Sequence, residues 1–168
     1  VIRGHFSLDD TAKTALLQQA KDAGIESLIV TSTCNRTEIY GFAEHPYQLI
    51  KLLCDNTKGT VEEFQEVAYI YKNKEAISHM FRVGSGLDSQ ILGDFEIISQ
   101  LKTSARNSKK IGLLNAFLER LVNSVIQASK RIKNETNISS GATSVSFASV
   151  QYILNNVKEI KSKNILLF

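Results

Sequence analysis

Two short β-rich runs constrain this chain more than anything else in it. Leu28-Ile29-Val30 and residues 39–43 are apolar or aromatic, and the stretch between them, Thr31 to Glu38, is polar. Runs this short and rich in β-branched residues read as strands, so the pattern predicts strands over 26–33 and 38–43 joined by a turn. That turn carries one cysteine, one arginine, one carboxylate and the four hydroxyls of Thr31, Ser32, Thr33 and Thr37. A packed core does not take such a mixture, because each buried polar group needs its own partner. It suits chemistry instead. The thiolate is the reactive form of cysteine, and a free thiol of pKa ~8.5 is only a few per cent ionised at neutral pH. Arg36, two residues past Cys34, would favour ionisation or hold a substrate carboxylate bidentately. A lone Cys beside a strand also has a plainer reading as buried packing. Cys54, set in the apolar helical face of residues 47–54, is assigned to the core. Cys34 has no such neighbourhood on its C-terminal side and is the candidate nucleophile.

Helical patterns surround the two runs. Ser7 reads as an N-cap with acids in the first turn, apolar residues from Leu8 to Ala23 follow at helical spacing, and Gly24 closes the helix. Pro46 opens a second helix that carries Leu49, Ile50, Leu52 and Leu53 and ends near Gly59. Residues 67–71, Val-Ala-Tyr-Ile-Tyr, read as a third strand. The order α-β-β-α-β predicts an α+β fold, an antiparallel sheet with helices on one face. From Lys74 onward helices are predicted over 75–83, 95–107 and 113–133. In the last, Leu114, Leu118, Leu121, Val125, Ala128 and Ile132 form a heptad-like seam for a neighbouring helix. A linker helix is expected over 143–157, and residues 164–168 read as a strand just begun.

Composition narrows the function. At 168 residues with 43% hydrophobic and 22% charged positions, the chain has material for one ordinary domain with a core. No apolar run reaches the ~20 residues of a membrane span, and no secretory signal is evident, so a reducing cytoplasm is the expected setting. Two distant cysteines and the scattered His5, His45 and His79 exclude a disulfide framework and a metal cluster by spacing. Residues 1–100 hold 9 Lys/Arg against 14 Asp/Glu, whereas residues 101–136 hold 8 against 2. That basic segment is either a solvated face or a footprint for nucleic acid. Gly84, Gly86 and Gly93 do not make a phosphate loop, since the Gly-x-Gly follows a helical pattern and not a strand. The segment reads as a loop between helices, presenting Asp88, Ser89 and Asp94 toward the Cys34 turn in its functional version. His79, alone on a partly apolar helix, reads as structural from its surroundings.

Three strings carry a family resemblance. Ser32-Thr33-Cys34-Asn35-Arg36-Thr37-Glu38 is similar to the nucleophile motif of glutamyl-tRNA reductases. His79 with the run Phe81 to Asp94 resembles that family's H-x-F-x-V-x-x-G-L-D-S-x-x-x-G-E segment. Ser140 to Ser146 resembles the Gly- and Ser-rich start of the helix leading to its nucleotide domain. The resemblance implies that a Cys34 thiolate attacks the ester joining glutamate to the 3′ end of tRNA. The resulting thioester is then reduced by NADPH to glutamate-1-semialdehyde, a tetrapyrrole precursor. It implies Cys34 and His79 as catalytic residues, with Thr33, Arg36 and Ser89 as pocket residues for the glutamyl group. Asp94 and Glu96 are further substrate-side candidates, and Glu38 and Gln100 weaker ones. Where the family follows its glycine with Glu-Pro-Gln, this chain has Asp94-Phe95-Glu96, which leaves the role of that turn open.

The resemblance also implies organisation. Residues 1–73 would be a ferredoxin-like α+β part whose first strand is missing. Residues 74–140 would be a helical part, 141–163 a linker helix, and 164–168 the first strand of a truncated NADPH-binding domain. The expected partner is glutamyl-tRNA, with no membrane and no metal. A homodimer is expected for the full-length protein and a monomer for this fragment, which should be unable to carry out the reduction. Two other readings stay open: a non-catalytic RNA-binding module using residues 101–136, and a cysteine hydrolase with a Cys34–His79 pair.

Overall fold

The two β-rich runs pair as an antiparallel hairpin of β1 (Leu28–Ser32) and β2 (Thr37–Gly41), with Leu28 opposite Gly41 and Ser32 opposite Thr37. The structure, a computed structural model, describes residues 2–89, 92–93, 96–138 and 145–164. Around the hairpin lie α1 (Asp10–Asp22), α2 (Pro46–Asp55), α3 (Val61–Val67), α4 (Lys74–Gly84), α5 (Glu96–Ile111), α6 (Ala116–Glu135) and α7 (Val145–Asn156). Short 3-10 turns span Ile2–Phe6 and Ile160–Ser162. The fold is α+β, as the pattern predicts. None of the described helices is long and apolar enough to cross a membrane.

Successive residues of a strand face opposite ways, and here both faces are covered. Leu28 and Val30 enter one core with Leu16, Leu17, Ala20, Leu52 and Leu53, supplied by α1 and α2. Ile29 enters a second core with Met80, Leu101, Leu118, Val122 and Val125, supplied by α4, α5 and α6. A two-stranded hairpin is marginal by itself. Fully burying each such Leu or Ile is worth about 1.5–3 kcal/mol, so the two helical layers are what hold β1 and β2 in register.

Local chemistry sets the helix boundaries, and in three places it moves them from the sequence reading. Asp9, not Ser7, caps α1: its Oδ1 accepts from Ala12 N at 2.8 Å. Ser7 instead donates to Gly4 O, while Leu8 N donates to Ser32 Oγ, which keeps residues 7–9 extended. Residues 67–71 do not form the expected third strand. A Thr60–Glu63 capping box starts α3, which runs through Val67, and Tyr69 beyond it is left 82% exposed. The seam of α6 is also displaced. Leu114 precedes the helix, whose N-cap is Asn115, and the buried row is Leu118, Val122, Val125 and Ser129. Leu121 packs only at the margin of that core. Spacing could not choose between adjacent apolar rows; the close approach of α4 does. A Cβ added at Gly84 would fall 2.2 Å from Val125 Cγ1, so the absence of a side chain there lets α4 settle against that row. Pro46 does open α2, with His45 as its cap.

Most of the expected Gly- and Ser-rich stretch at 140–146 and of the strand at 164–168 lies outside the described residues, as does Asp94.

Candidate active site

The connection between β1 and β2 is a four-residue turn held by one side chain. Thr33 N donates to Arg36 O at 2.8 Å, and Thr33 Oγ1 accepts from the N–H groups of Asn35 and Arg36, both at 3.1 Å. Thr33 is therefore a turn-former, whatever else it touches. The other hydroxyls are also engaged. Ser32 Oγ and Thr37 Oγ1 bond at 2.8 Å, and Thr31 Oγ1 donates to Ser104 Oγ on α5 at 3.2 Å. This ring of partners leaves Cys34 exposed at the turn, with no hydrogen bond to its sulfur among the described residues. Cys54 sits half-buried at the edge of the first core, as expected. Burial, then the charges of Asp55, Glu62 and Glu63, push its thiol up.

Arg36, Glu38 and Tyr40 alternate along the chain and so project to the same face. Glu38 is the hub. Its Oε1 accepts from Arg36 Nη1 at 2.8 Å and from His79 Nε2 at 3.0 Å, and its Oε2 accepts from the Tyr40 hydroxyl. Burial alone would raise the Glu38 carboxyl. The bonds from His79 and Tyr40, with the charges of His79 and Arg36, outweigh it and hold the group below its ordinary 4.5. Tyr40 is pushed up by burial, by the Glu38 charge and by their bond.

Opposite a carboxylate, His79 Nε2 carries a proton and donates it. Its Nδ1 is then the open ring position, and that atom is buried with no partner among the described residues. A buried polar atom without a partner is costly and rare enough to require an explanation. The ring is flanked by Tyr71, at 4.7 Å between centroids, and by Tyr40, at 6.3 Å.

Arg36 also reaches the loop after α4. Nη1 lies 3.3 Å from Asp88 Oδ2, and Nη2 donates to the Asp88 backbone oxygen. Ser89 follows directly and is half-buried. With three donors engaged, two of the five N–H groups of Arg36 have no partner among the described residues. The structure thus brings together Thr33, Cys34, Arg36, Ser89 and His79 on and beside one hairpin end. Glu96 and Gln100 are placed differently. They line a groove of about 370 Å3 with Asp10, Lys13, Thr31 and Ser32, between α1, β1 and the start of α5.

Motif similarity gives Glu38 a weaker place than Cys34 or Arg36 and gives Tyr40 and Tyr71 none. The alternation of Arg36, Glu38 and Tyr40 was a usable signal, since one strand face cannot bury an arginine and a carboxylate unless they serve each other or a third group. For Tyr71 there was none: its place beside His79 depends on the path between α3 and α4.

The glycines at 84, 86 and 93 do not fit the phosphates of a dinucleotide. Gly84 is packed against Val125, and Gly93 N donates to Gly86 O at 3.0 Å, so this glycine segment folds on itself and offers no cradle for a phosphate.

Comparison with known proteins converges on one family. The family model described as "Glutamyl-tRNAGlu reductase, N-terminal domain" matches residues 1–136. Glutamyl-tRNA reductase 2 of Flavobacterium johnsoniae is 76% identical over 168 residues, all of this chain and 39% of that protein. Glutamyl-tRNA reductase of Christiangramia forsetii is 74% identical over 167 residues, 99% of this chain and 40% of that protein. Among solved structures, glutamyl-tRNA reductase from Methanopyrus kandleri superposes with a TM-score of 0.69 at 26% identity, over 91% of this chain and 36% of that one. The chain thus spans about 40% of the length of the curated relatives it matches.

Proposed function

The chain belongs to the family of glutamyl-tRNAGlu reductase N-terminal domains, and we propose that it is the part of such an enzyme that takes the glutamyl group from tRNA onto a cysteine. The observation that carries this reading is the exposed Cys34 thiol on a turn that also holds Arg36, whose Glu38 partner fixes His79.

In the proposed step the sulfur of Cys34 attacks the carbonyl carbon of the ester at the 3′ end of tRNA. A C–S bond forms, the bond from the carbonyl carbon to the ribose oxygen breaks, and the thiol proton ends on that oxygen. The two uncommitted N–H donors of Arg36 hold a carboxylate of the glutamyl group, and Ser89 borders it. His79, anchored through Nε2, serves the carbonyl or the travelling proton at Nδ1, which accounts for that atom lacking a protein partner. Glu38 does no chemistry of its own in this scheme; it positions the imidazole and the guanidinium. A thioester accepts hydride more readily than an oxygen ester, which gives the covalent step its use. NADPH, the reductant implied, is assigned to polypeptide outside these residues.

The tRNA reading draws on the basic second half. Lys102 and Lys130 border a hollow of about 210 Å3 between α5 and α6, suited to backbone phosphates. The same reading places the chain in the cytoplasm, as a monomer in isolation and within a homodimer in the longer protein.

The test is intact-protein mass after mixing with glutamyl-tRNA, with Cys34→Ser in parallel. A glutamyl adduct on the parent and none on the variant supports the reading. Equal tRNA binding by both, without adduct or tRNA release, favours a binding module. Rapid turnover of small activated esters without tRNA favours a hydrolase.

A further inference from the structure

Four rings form a column that runs from solvent into the Glu38 site. Tyr40 and His79 stack with centroids 6.3 Å apart and planes at 29°. His79 and Tyr71 follow at 4.7 Å and 32°, then Tyr71 and Tyr69 at 6.1 Å and 16°. The inner end is tied down, because the Tyr40 hydroxyl donates to Glu38. The outer end, Tyr69, is 82% exposed. A tyrosine so exposed gains nothing from the core, yet its plane is set nearly parallel to the ring beneath it.

The backbone around the outer rings is fixed at both sides. Ala68 N donates to Phe64 O at 2.9 Å, ending α3, and Asn73, at φ 50°, turns the chain into α4 with Glu75 N bonded to Lys72 O at 3.0 Å. Lys72 and Lys74 flank that turn directly after Tyr71 in the chain, and neither has an ion-pair partner among the described residues.

We propose that Tyr69 and Tyr71 are a stacking platform for the 3′-terminal nucleobase of the RNA substrate, the adenine of its CCA end, with Lys72 and Lys74 facing the adjoining phosphates. The proposal rests on the glutamyl-tRNA reading and extends it to a subsite. Any base has a π-face, so a ring stacked on the outer face of Tyr69 prolongs the column. The glutamyl ester sits on the ribose of that same terminal nucleotide. A base held on Tyr69 therefore lies three ring steps from His79, on the same column that ends at Glu38. Across residues 72–75 two lysines stand against Glu75, a net positive charge that favours a polyanion over a basic protein partner.

The probe is a non-acylated RNA minihelix ending in CCA, with 2-aminopurine as its last base. Stacking on the parent chain quenches that fluorophore. Tyr69→Ala abolishes the quenching and weakens binding about tenfold, and Tyr69→Phe, which keeps the ring, retains both. No quenching by the parent, or undiminished quenching by Tyr69→Ala, overturns the proposal. So does a change in sedimentation of Tyr69→Ala with the fluorescence signal unaffected, which would make the rings a contact between copies of the chain. Because the probe has no glutamyl group, the signal is independent of Cys34. Quenching in a protein that gives no glutamyl adduct supports the platform while sinking the thioester reading.

Discussion

Glu38 Oε1 accepts from His79 Nε2 at 3.0 Å, across 41 positions of sequence and between a strand and a helix that belong to different parts of the fold. The same oxygen accepts from Arg36 at 2.8 Å. One carboxylate thus sets the orientation of a cation and an imidazole, and the consequences of losing it are specific.

Glu38→Gln keeps the shape but removes the charge. Hydrogen bonds to charged groups are worth about 1.5–3 kcal/mol, so stability should fall by an amount in that range, read from urea midpoints. Acylation of Cys34 by glutamyl-tRNA should slow by at least about tenfold, read by intact mass, because His79 and Arg36 lose their common anchor. A variant as stable and as fast as the parent would remove Glu38 from the scheme.

The same residue makes a pH prediction. The folded carboxyl is held below its ordinary 4.5, so the unfolded state binds more protons on the acid side. The stabilisation is fully present above about 4.5 and is lost as pH falls through the lowered folded value. Urea midpoints of the parent should drop over that interval. Glu38→Gln should show a shallower drop over the same range.

Tyr40 acts at the opposite end of the scale. Its phenol is raised by burial and by the Glu38 charge, so on the alkaline side the folded state holds a proton that the unfolded state has released. Stability should therefore decline as pH rises past about 10, the ordinary value for a phenol. Tyr40→Phe should remove that component of the decline. Identical alkaline profiles for the two proteins would contradict the assignment.

The two cysteines should be separable by alkylation. Cys34 is exposed, whereas Cys54 is half-buried with its thiol pushed up by burial and neighbouring carboxylates. Mass mapping after brief iodoacetamide treatment at neutral pH should find Cys34 modified first, and Cys34→Ser should lack the fast phase. Preferential labelling of Cys54 would place the exposed thiol wrongly.

Gly84→Ala should destabilise the chain by about 1–3 kcal/mol, because the new methyl would meet Val125 Cγ1 at 2.2 Å. Trimming the obstacle in Gly84→Ala/Val125→Ala should recover part of the loss in thermal or urea unfolding. A double variant no better than the sum of the singles would show that this approach does not set the α4–α6 distance.

The sequence by itself determined the local facts. Two β-rich runs flanking a polar turn read as a hairpin, and Pro46 reads as the start of a helix. The motif strings point to the family and, through that resemblance, to Cys34, Arg36 and His79 as candidates. What the sequence left ambiguous was whatever depends on a distant partner. Residues 67–71 have the composition of a strand, but a strand needs an edge to pair with, and the Thr60–Glu63 cap gave Val67 to a helix instead. The choice between adjacent apolar rows on α6 was made by the approach of Gly84. Glu38 became the hub only when α4 brought His79 to it, and Tyr71 joined the site only through the path between α3 and α4. Propensity and capping act over a few residues and can be read along the chain. The pairing of buried charges and rings acts across the fold, and only the packing of helices on both faces of the hairpin decided it.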